Sequence, residues 1–311
     1  MTDTYYLETT LRTRSTDDVL HITCGESNVI TLRQQSVEGE LLSWIDVLHE
    51  GPVPPGLTLE ELSHVRVNWL ASAYPATLEQ ARREFGLRDR TIQRHTGRVS
   101  LWFEKDLFDQ LQLIQILDYY SRHPVPELNL VTIDHADLGR LIELWPTRVP
   151  VTAEMMQLAV EAWKAFRSPD PRDIQALLAT DTGALPHLGP ALRRYLEQFP
   201  WTTNGCNRTE NQILRAADQG VCTRAALFEL NQVADGLPFM GDLTFFDYLD
   251  RLIAGGLLTS EYALSPLGDT VLAGRRDWLE IHPHERWMGG CLASMGRWNP
   301  VTERIEHTAL N

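Results

Sequence analysis

The stretch of residues 99–120 constrains the fold of this chain most strongly. It opens as an apolar run with aromatic residues, as a buried strand does, and its apolar residues change to helical spacing after Glu104, Lys105 and Asp106. A strand is therefore predicted to pass directly into an amphipathic helix, with acids at the junction. In an open α/β sheet, ligands bind beyond the carboxyl ends of the strands, so we expect a functional site at this junction.

Three more apolar runs, at residues 19–23, 39–48 and 127–135, have the composition of β-strands. Helical or loop segments separate the four strand candidates, and the clearest of these is a helical pattern over residues 59–87. This alternation predicts an α/β protein in which residues 1–150 form a Rossmann-like domain with a mostly parallel sheet.

The rest of the chain has a different pattern. Residues 151–206 predict a helical linker segment. Residues 207–311 predict a domain like a winged helix-turn-helix with a C-terminal tail, because three short helices precede two short strands at 255–259 and 262–265. We therefore expect three units along the chain.

The net charge of −14 argues against nucleic acid as a partner. An acidic surface repels phosphate backbones unless a basic stripe compensates. The third helix of the predicted winged helix carries Asp242, Asp247 and Asp250 against Arg251 alone, although a DNA reader needs cations there. This unit is expected to contact another protein or a second copy of the chain.

The cysteines and the hydropathy pattern predict a location in the cytoplasm. Cys24, Cys206, Cys222 and Cys291 form no Cys-x-x-Cys pair, which argues against a zinc site and a disulfide framework. The sequence shows no signal peptide and no apolar run of the roughly 20 residues that a membrane span needs, so no membrane association is expected.

Acids and histidines follow the predicted strands, and we expect them to meet in one cleft. The candidate catalytic residues are Glu104, Asp106, His49 and Asp46. The candidate ligand-binding residues are His21, Gly25, Glu26, Ser27, Glu50, Asp109, Asp134, Arg286 and Trp287. Converging carboxylates could hold a divalent metal ion, or one carboxyl with a shifted pKa could act as acid or base.

Several of these residues also have purely structural interpretations. Asp106 and Asp109 fit the cap and first turn of a helix, worth about 1 kcal/mol, and Glu104 has no capping role. Asp46 and Glu50 could cap backbone donors in a solvated turn, and the loop with Gly25 could be an ordinary tight turn rather than a phosphate site.

The tail offers two further hypotheses. Arg286 and Trp287, with the glycine pair that follows them, could close over an anionic ligand. His282, His284 and Glu285 could form a metal site, although the proline between the histidines disfavours a regular strand. An exposed polar turn is the alternative.

Long motifs in this chain resemble a known family. Residues 21–27, 44–54 and 101–111 are similar to the bacterial domain of unknown function eighteen thirty-five, and residues 204–210 and 286–290 resemble the companion C-terminal region that often follows it. The resemblance implies no activity, because the family is named for lacking one. The first loop of the family commonly reads Asn-Gly-Asp-Ser, whereas this chain has Cys24-Gly25-Glu26-Ser27. This difference argues against any role that needs asparagine at position 24 or the shorter carboxylate at position 26.

The residues favour a hydrolase or transferase that acts on a nucleotide-like or other phosphorylated small molecule. The Gly25-Glu26-Ser27 run also resembles the Gly-Asp-Ser start of one esterase class, with Ser27 as nucleophile, but the chain has no matching late Asp-x-x-His block. The alternative is a non-catalytic protein that senses a ligand or binds a protein partner through the winged helix.

Overall fold

A five-stranded, mostly parallel sheet organises the computed structural model, which describes residues 19–283 and 285–307. The strands are β1 (Val19–Cys24), β2 (Glu40–Trp44), β3 (Gly51–Pro52), β4 (Arg98–Glu104), β5 (Leu128–Ile133), β6 (Val149–Pro150), β7 (Trp287–Gly289), β8 (Cys291–Leu292), β9 (Gly296–Asn299) and β10 (Arg304–His307). The central sheet has the order β2-β1-β4-β5-β6, and only β6 is antiparallel to its neighbour.

Twelve α-helices lie in the part of the chain that the structure describes. They are α1 (Gly25–Gln34), α2 (Leu59–Ala73), α3 (Leu78–Arg94), α4 (Leu107–Arg122), α5 (Ala153–Phe166), α6 (Arg172–Leu178), α7 (Leu188–Leu196), α8 (Arg208–Asp218), α9 (Arg224–Asp235), α10 (Asp242–Ala254), α11 (Pro266–Leu272) and α12 (Trp278–Ile281). The prediction of an α/β protein with a mostly parallel sheet is thus confirmed.

Strand β4 lies at the centre of the sheet because its sequence is apolar on both faces. Every residue from Val99 to Phe103 is buried, as in parallel strands that helices cover on both sides. The strand pairs with β1 on one side and β5 on the other. The carboxyl ends of these three strands therefore lie at the same edge of the sheet.

Two predicted elements have different bounds in the structure. The second strand ends at Trp44, because Asp46 turns away from the sheet to pair with Arg66 of α2. The helical pattern predicted over residues 59–87 forms two helices, α2 and α3, and α3 continues to Arg94. The helix extends because the Arg88 guanidinium packs inward, 4.4 Å from the Trp44 ring centroid.

The C-terminal tail returns to the first half of the chain. Strand β7 pairs in parallel with β3, so Met288 and Gly289 lie beside Gly51 and Pro52. At Gly290 a side chain would not fit, because a Cβ atom there would lie 1.9 Å from the Arg167 carbonyl oxygen. The glycine pair therefore serves close backbone packing, not the ligand approach that we predicted.

The helices α8, α9 and α10 match the three helices predicted for the C-terminal unit. The two strands expected after them are reduced to one antiparallel bridge between Leu258 and Leu264. One hydrophobic core cluster includes buried residues from all three predicted units, from Leu20 to Ile305. Within the described residues, no helix combines the length and the apolar character needed to cross a membrane.

Candidate functional site

Three carboxylates meet where β4 passes into α4, and we call them the acid cluster. Glu104 ends the strand, Asp106 is the N-cap of α4, and Asp109 lies in its first turn. The Asp109 N–H donates to the Asp106 carboxylate at 3.1 Å, and the Glu104 N–H donates to the Asp109 carboxylate at 2.6 Å. One oxygen from each side chain lies within 4.8 Å of the others. The predicted cap is thus present, and its acids also form a compact oxygen-rich group.

Burial raises the pKa values of the two aspartates in this cluster. It raises the pKa of Asp106 to about 7, with the Glu104 charge adding to the effect and backbone N–H donors opposing it. Burial and the neighbouring Asp106 raise the pKa of Asp109 well above its usual value. The Cys24 thiol hydrogen-bonds to Asp109, and burial together with the carboxylates raises its pKa. Cys24 is therefore a poor nucleophile at neutral pH.

The geometry of the acid cluster suits a divalent cation with oxygen ligands. We expect Mn²⁺ to bind with an affinity that rises about tenfold from pH 6 to pH 7, because binding must displace a proton from the cluster. Titration calorimetry at both pH values measures this change. Asp109→Asn should abolish the heat of binding, and Asp137→Asn should leave it unchanged; equal heats in both variants would contradict a metal site here.

Charged and exposed residues surround the acid cluster at the edge of the sheet. Lys105 pairs with Asp134, whose side chain is 58% exposed. His135, 76% exposed, has its Nδ1 atom 3.3 Å from the Glu104 carboxylate. His135 lies two residues after the end of β5, so the position of a histidine after a predicted strand was the available sequence signal for it.

The first turn of α1 lies at the end of β1, the strand that neighbours β4. Gly25 has a φ of 68°, which favours glycine, and the N-cap residue Cys24 makes no side-chain capping bond. Glu26 and Ser27 are exposed. The structure therefore places the predicted Gly25-Glu26-Ser27 turn at the same sheet edge as the acid cluster.

The other predicted catalytic residues do not join this cluster. Asp46 is buried, and its carboxylate accepts a hydrogen bond at 2.8 Å from Arg66, which also donates to three backbone carbonyls. Gln112 of α4 donates to the Asp46 carbonyl at 3.1 Å. The prediction of one shared cleft is thus corrected for Asp46, because its charge is neutralised inside the protein.

His49 is also enclosed. Its ring lies between those of Phe108 and Phe239, with centroid distances of 5.6 and 5.0 Å, and neither ring nitrogen has a hydrogen-bond partner among the described residues. Burial lowers its pKa to about 4, although the Glu50 charge opposes this shift. His49 is therefore a neutral core residue, not the catalytic residue that we predicted.

Glu50, Arg286 and Tyr248 form a buried network that joins three distant parts of the chain. The Glu50 carboxylate accepts hydrogen bonds from the Tyr248 hydroxyl at 2.5 Å and from Arg286 at 2.8 and 3.1 Å. Arg286 also donates to the Gln198 carbonyl at 3.0 Å. Although burial opposes ionisation of Glu50, the Arg286 guanidinium lowers its pKa to about 2. Arg286 therefore binds Glu50 instead of the ligand that we predicted.

The remaining predicted residues have local partners. His21 accepts a hydrogen bond from Trp102 at 3.0 Å and contacts the Glu38 carbonyl at 3.1 Å, and burial lowers its pKa to about 4. His21 thus packs inside the sheet. Trp287 is half-exposed at the start of β7. His282 stacks on Trp278 at 4.6 Å, and the metal site proposed with it includes His284, which lies outside the described residues.

A cleft of about 500 Å³ opens beside the acid cluster, and we call it the edge cleft. It runs along α7 from the end of β4 to α8 and the loop after α9. Its lining residues are Lys105, Asp106, Leu107, Leu178, Thr182, Gly189, Pro190, Ala191, Arg193, Arg194, Glu197, Arg208, Asp235, Gly236 and Leu237. Asp106 therefore belongs both to the acid cluster and to the wall of this cleft.

Three arginines that the sequence analysis did not single out give the edge cleft its cationic wall. Arg194 is held by Asp235 at 3.0 Å, and its Nη1 atom has no hydrogen-bond partner among the described residues. Arg208 pairs with Glu197 at 2.5 Å, and Arg193 pairs with the exposed Glu303 at 3.2 Å. No sequence pattern marks these arginines, because α7 and α8 bring them together only in the folded protein.

Comparison with known proteins identifies no family for this chain. No protein-family model matches it, and no curated protein is significantly similar to it. The resemblance to the domain of unknown function eighteen thirty-five stays a prediction, and the geometry of the site carries the functional argument.

Proposed function

We propose that this protein is a hydrolase or transferase that acts on a phosphorylated small molecule in the edge cleft. One observation carries the proposal: Asp106 shares a cleft of about 500 Å³ with Lys105, Arg193, Arg194 and Arg208. A volume of this size fits a small-molecule substrate, and the cleft lies beyond the carboxyl end of a parallel strand. An acid–base group and phosphate-binding cations thus face the same space.

The charges of the cleft favour an anion. Four cations line it against Asp106, Glu197 and Asp235, in a chain whose net charge is −14. Arg193 and its partner Glu303 are both exposed, and surface ion pairs of this kind contribute little free energy. A phosphate group could therefore replace Glu303 at low cost and gain a forked hydrogen bond from the guanidinium.

Asp106 has the protonation that such a reaction needs, because a pKa near 7 suits a group that both takes and gives a proton. In the hydrolysis, ionised Asp106 takes a proton from water, the water oxygen bonds to phosphorus, and the phosphorus–oxygen ester bond breaks. The alcohol oxygen leaves on the opposite side of phosphorus and takes a proton from solvent, and Asp106 returns its own proton to solvent. In a transfer reaction an acceptor hydroxyl takes the place of water.

The test follows inorganic phosphate released from a panel of phosphate monoesters and the thermal shift that each ester causes. Asp106→Asn should lower turnover about 10²- to 10⁴-fold and keep the thermal shift, since asparagine caps a helix as well as aspartate does. Arg193→Gln should weaken binding about tenfold or more, because a charge-assisted hydrogen bond is lost.

The matched control is Arg276→Gln, which removes an exposed arginine outside the cleft and should change neither quantity. Unchanged turnover in Asp106→Asn would refute its catalytic role. If esters of the panel raise the melting temperature of the wild type but none is hydrolysed, the result would favour a ligand sensor over an enzyme.

The Glu50–Arg286–Tyr248 network is the observation that favours a sensor as the second candidate. Tyr248 belongs to α10, and Gln198, which accepts from Arg286, lies two residues after the end of the cleft helix α7. Ligand binding in the cleft could thus change the conformation of the C-terminal unit, which we propose to be a winged helix that contacts a protein partner.

All four cysteines are free thiols, which supports a reducing, cytoplasmic setting.

A further inference from the structure

The edge cleft has an aliphatic wall as well as a cationic one. Its apolar lining residues are Leu107, Leu178, Pro190, Ala191 and Leu237. Among the described residues that line the cleft, none is aromatic. Proteins that bind free bases stack them on aromatic side chains or on arginine guanidinium planes, and the described lining residues offer only the second kind of surface. Its shape and chemistry suit an aliphatic group beside the phosphate.

Exposed aliphatic side chains lie close in sequence to the cleft residue Leu237. Leu237 lines the cleft and is still 48% exposed, and Val233, four residues before it, is 79% exposed. Leu230 lies three residues before Val233, so both side chains lie on neighbouring positions of the α9 surface. Gly236, with a φ of 71°, ends α9 and turns the chain towards the cleft. We call Leu230, Val233 and Leu237 the aliphatic rim.

Large exposed aliphatic side chains are costly to leave in water, and a cluster of them marks a binding surface. The rim begins inside the cleft, at Leu237, so the molecule that enters the cleft is the occupant in the right position to cover it. A hydrocarbon chain attached to a phosphate group near Arg193 shares the cleft with Leu237.

We propose that the substrate is the phosphate monoester of an aliphatic alcohol, with its hydrocarbon chain on the wall of the edge cleft and on the aliphatic rim. This inference rests on the proposed function and narrows its substrate class from phosphorylated molecules in general to phosphorylated aliphatic chains. It ranks phosphorylated aliphatic chains above nucleotides as ligands of the cleft.

The test compares four probes on the full chain by titration calorimetry at fixed ionic strength: inorganic phosphate, butyl phosphate, hexyl phosphate and adenosine monophosphate. Burial of one methylene group changes affinity by up to about fourfold, so hexyl phosphate should bind roughly 4- to 16-fold more tightly than butyl phosphate. Adenosine monophosphate should bind more weakly than hexyl phosphate.

Two leucine variants test where the hydrocarbon chain of the ligand binds. Leu237→Ser should lower the affinity for hexyl phosphate about fivefold and leave the affinity for inorganic phosphate unchanged, because it alters only the aliphatic wall. Leu243→Ser is the control, since Leu243 is equally exposed but does not line the cleft. Both variants change exposed side chains, so little effect on folding is expected.

The outcomes separate this inference from the proposed function. The inference of an aliphatic substrate is wrong if the affinity does not depend on the length of the alkyl chain, or if adenosine monophosphate binds more tightly than hexyl phosphate. Either result would still leave a phosphate site that depends on Arg193. Absence of binding by all four probes would overturn both. If Leu237→Ser changes only the oligomeric state, measured by light scattering, the rim is an interface between copies and the inference is wrong.

Discussion

Replacing Glu50 with alanine is expected to lower the free energy of unfolding by about 3–5 kcal/mol. The variant leaves the Arg286 guanidinium buried without its counter-ion and removes the acceptor of the Tyr248 hydroxyl. A buried charge without a partner cannot regain its hydration, so the cost greatly exceeds that of an exposed pair. Denaturant titration at pH 7, followed by circular dichroism, measures the loss.

The control for this experiment is Asp250→Asn, which breaks the exposed pair between Asp250 and Arg224. This change should cost less than about 1 kcal/mol. The double variant Glu50→Leu with Arg286→Met should recover much of the stability, because an apolar pair of similar size needs no hydration. Equal losses in Glu50→Ala and Asp250→Asn would show that the network does not hold the three segments together.

The second large effect is a pH dependence that arises from Asp106. Its pKa rises from 3.8 to about 7 on folding, so between these values the folded protein binds a proton that the unfolded chain has released. Stability from this group is fully present below about pH 4 and is lost as the pH rises through 7. At 1.36 kcal/mol per pKa unit, the loss amounts to about 4 kcal/mol.

Asp106→Asn removes this titration and keeps the helix cap. The variant should have nearly the same stability as the wild type at pH 4 and be more stable by about 4 kcal/mol at pH 8, measured by denaturant titration at each pH. A wild-type curve parallel to that of Asp106→Asn would contradict the raised pKa.

The sequence predicted the elements around β4 because the relevant contacts are local. The change from a continuous apolar run to helical spacing marks a strand followed by a helix, and Asp106 caps that helix by accepting from the Asp109 N–H three residues later. The four parallel strands follow from the same kind of pattern. The cap and the acid cluster are thus readable from neighbouring positions.

The interpretation of Asp46 and His49 from the sequence failed for a different reason. Their position after a strand suggested an exposed rim, but α2 brings Arg66 to Asp46, and Phe239 covers His49. Phe239 lies in the loop between α9 and α10, far along the chain. No local pattern indicates that such a segment will pack over this loop, so the burial could not be predicted.

The amino-acid sequence by itself determined the alternation of strands and helices, the parallel sheet and the acids at the end of β4, because hydrophobic period and capping act over a few residues. The tertiary structure alone decided which charges are buried and which line a cleft. Glu50 meets Tyr248 and Arg286 across 198 and 236 positions, and Arg193 reaches the cleft only when α7 packs beside α4. Such contacts depend on how distant apolar faces dock, and local spacing carries no information about that docking.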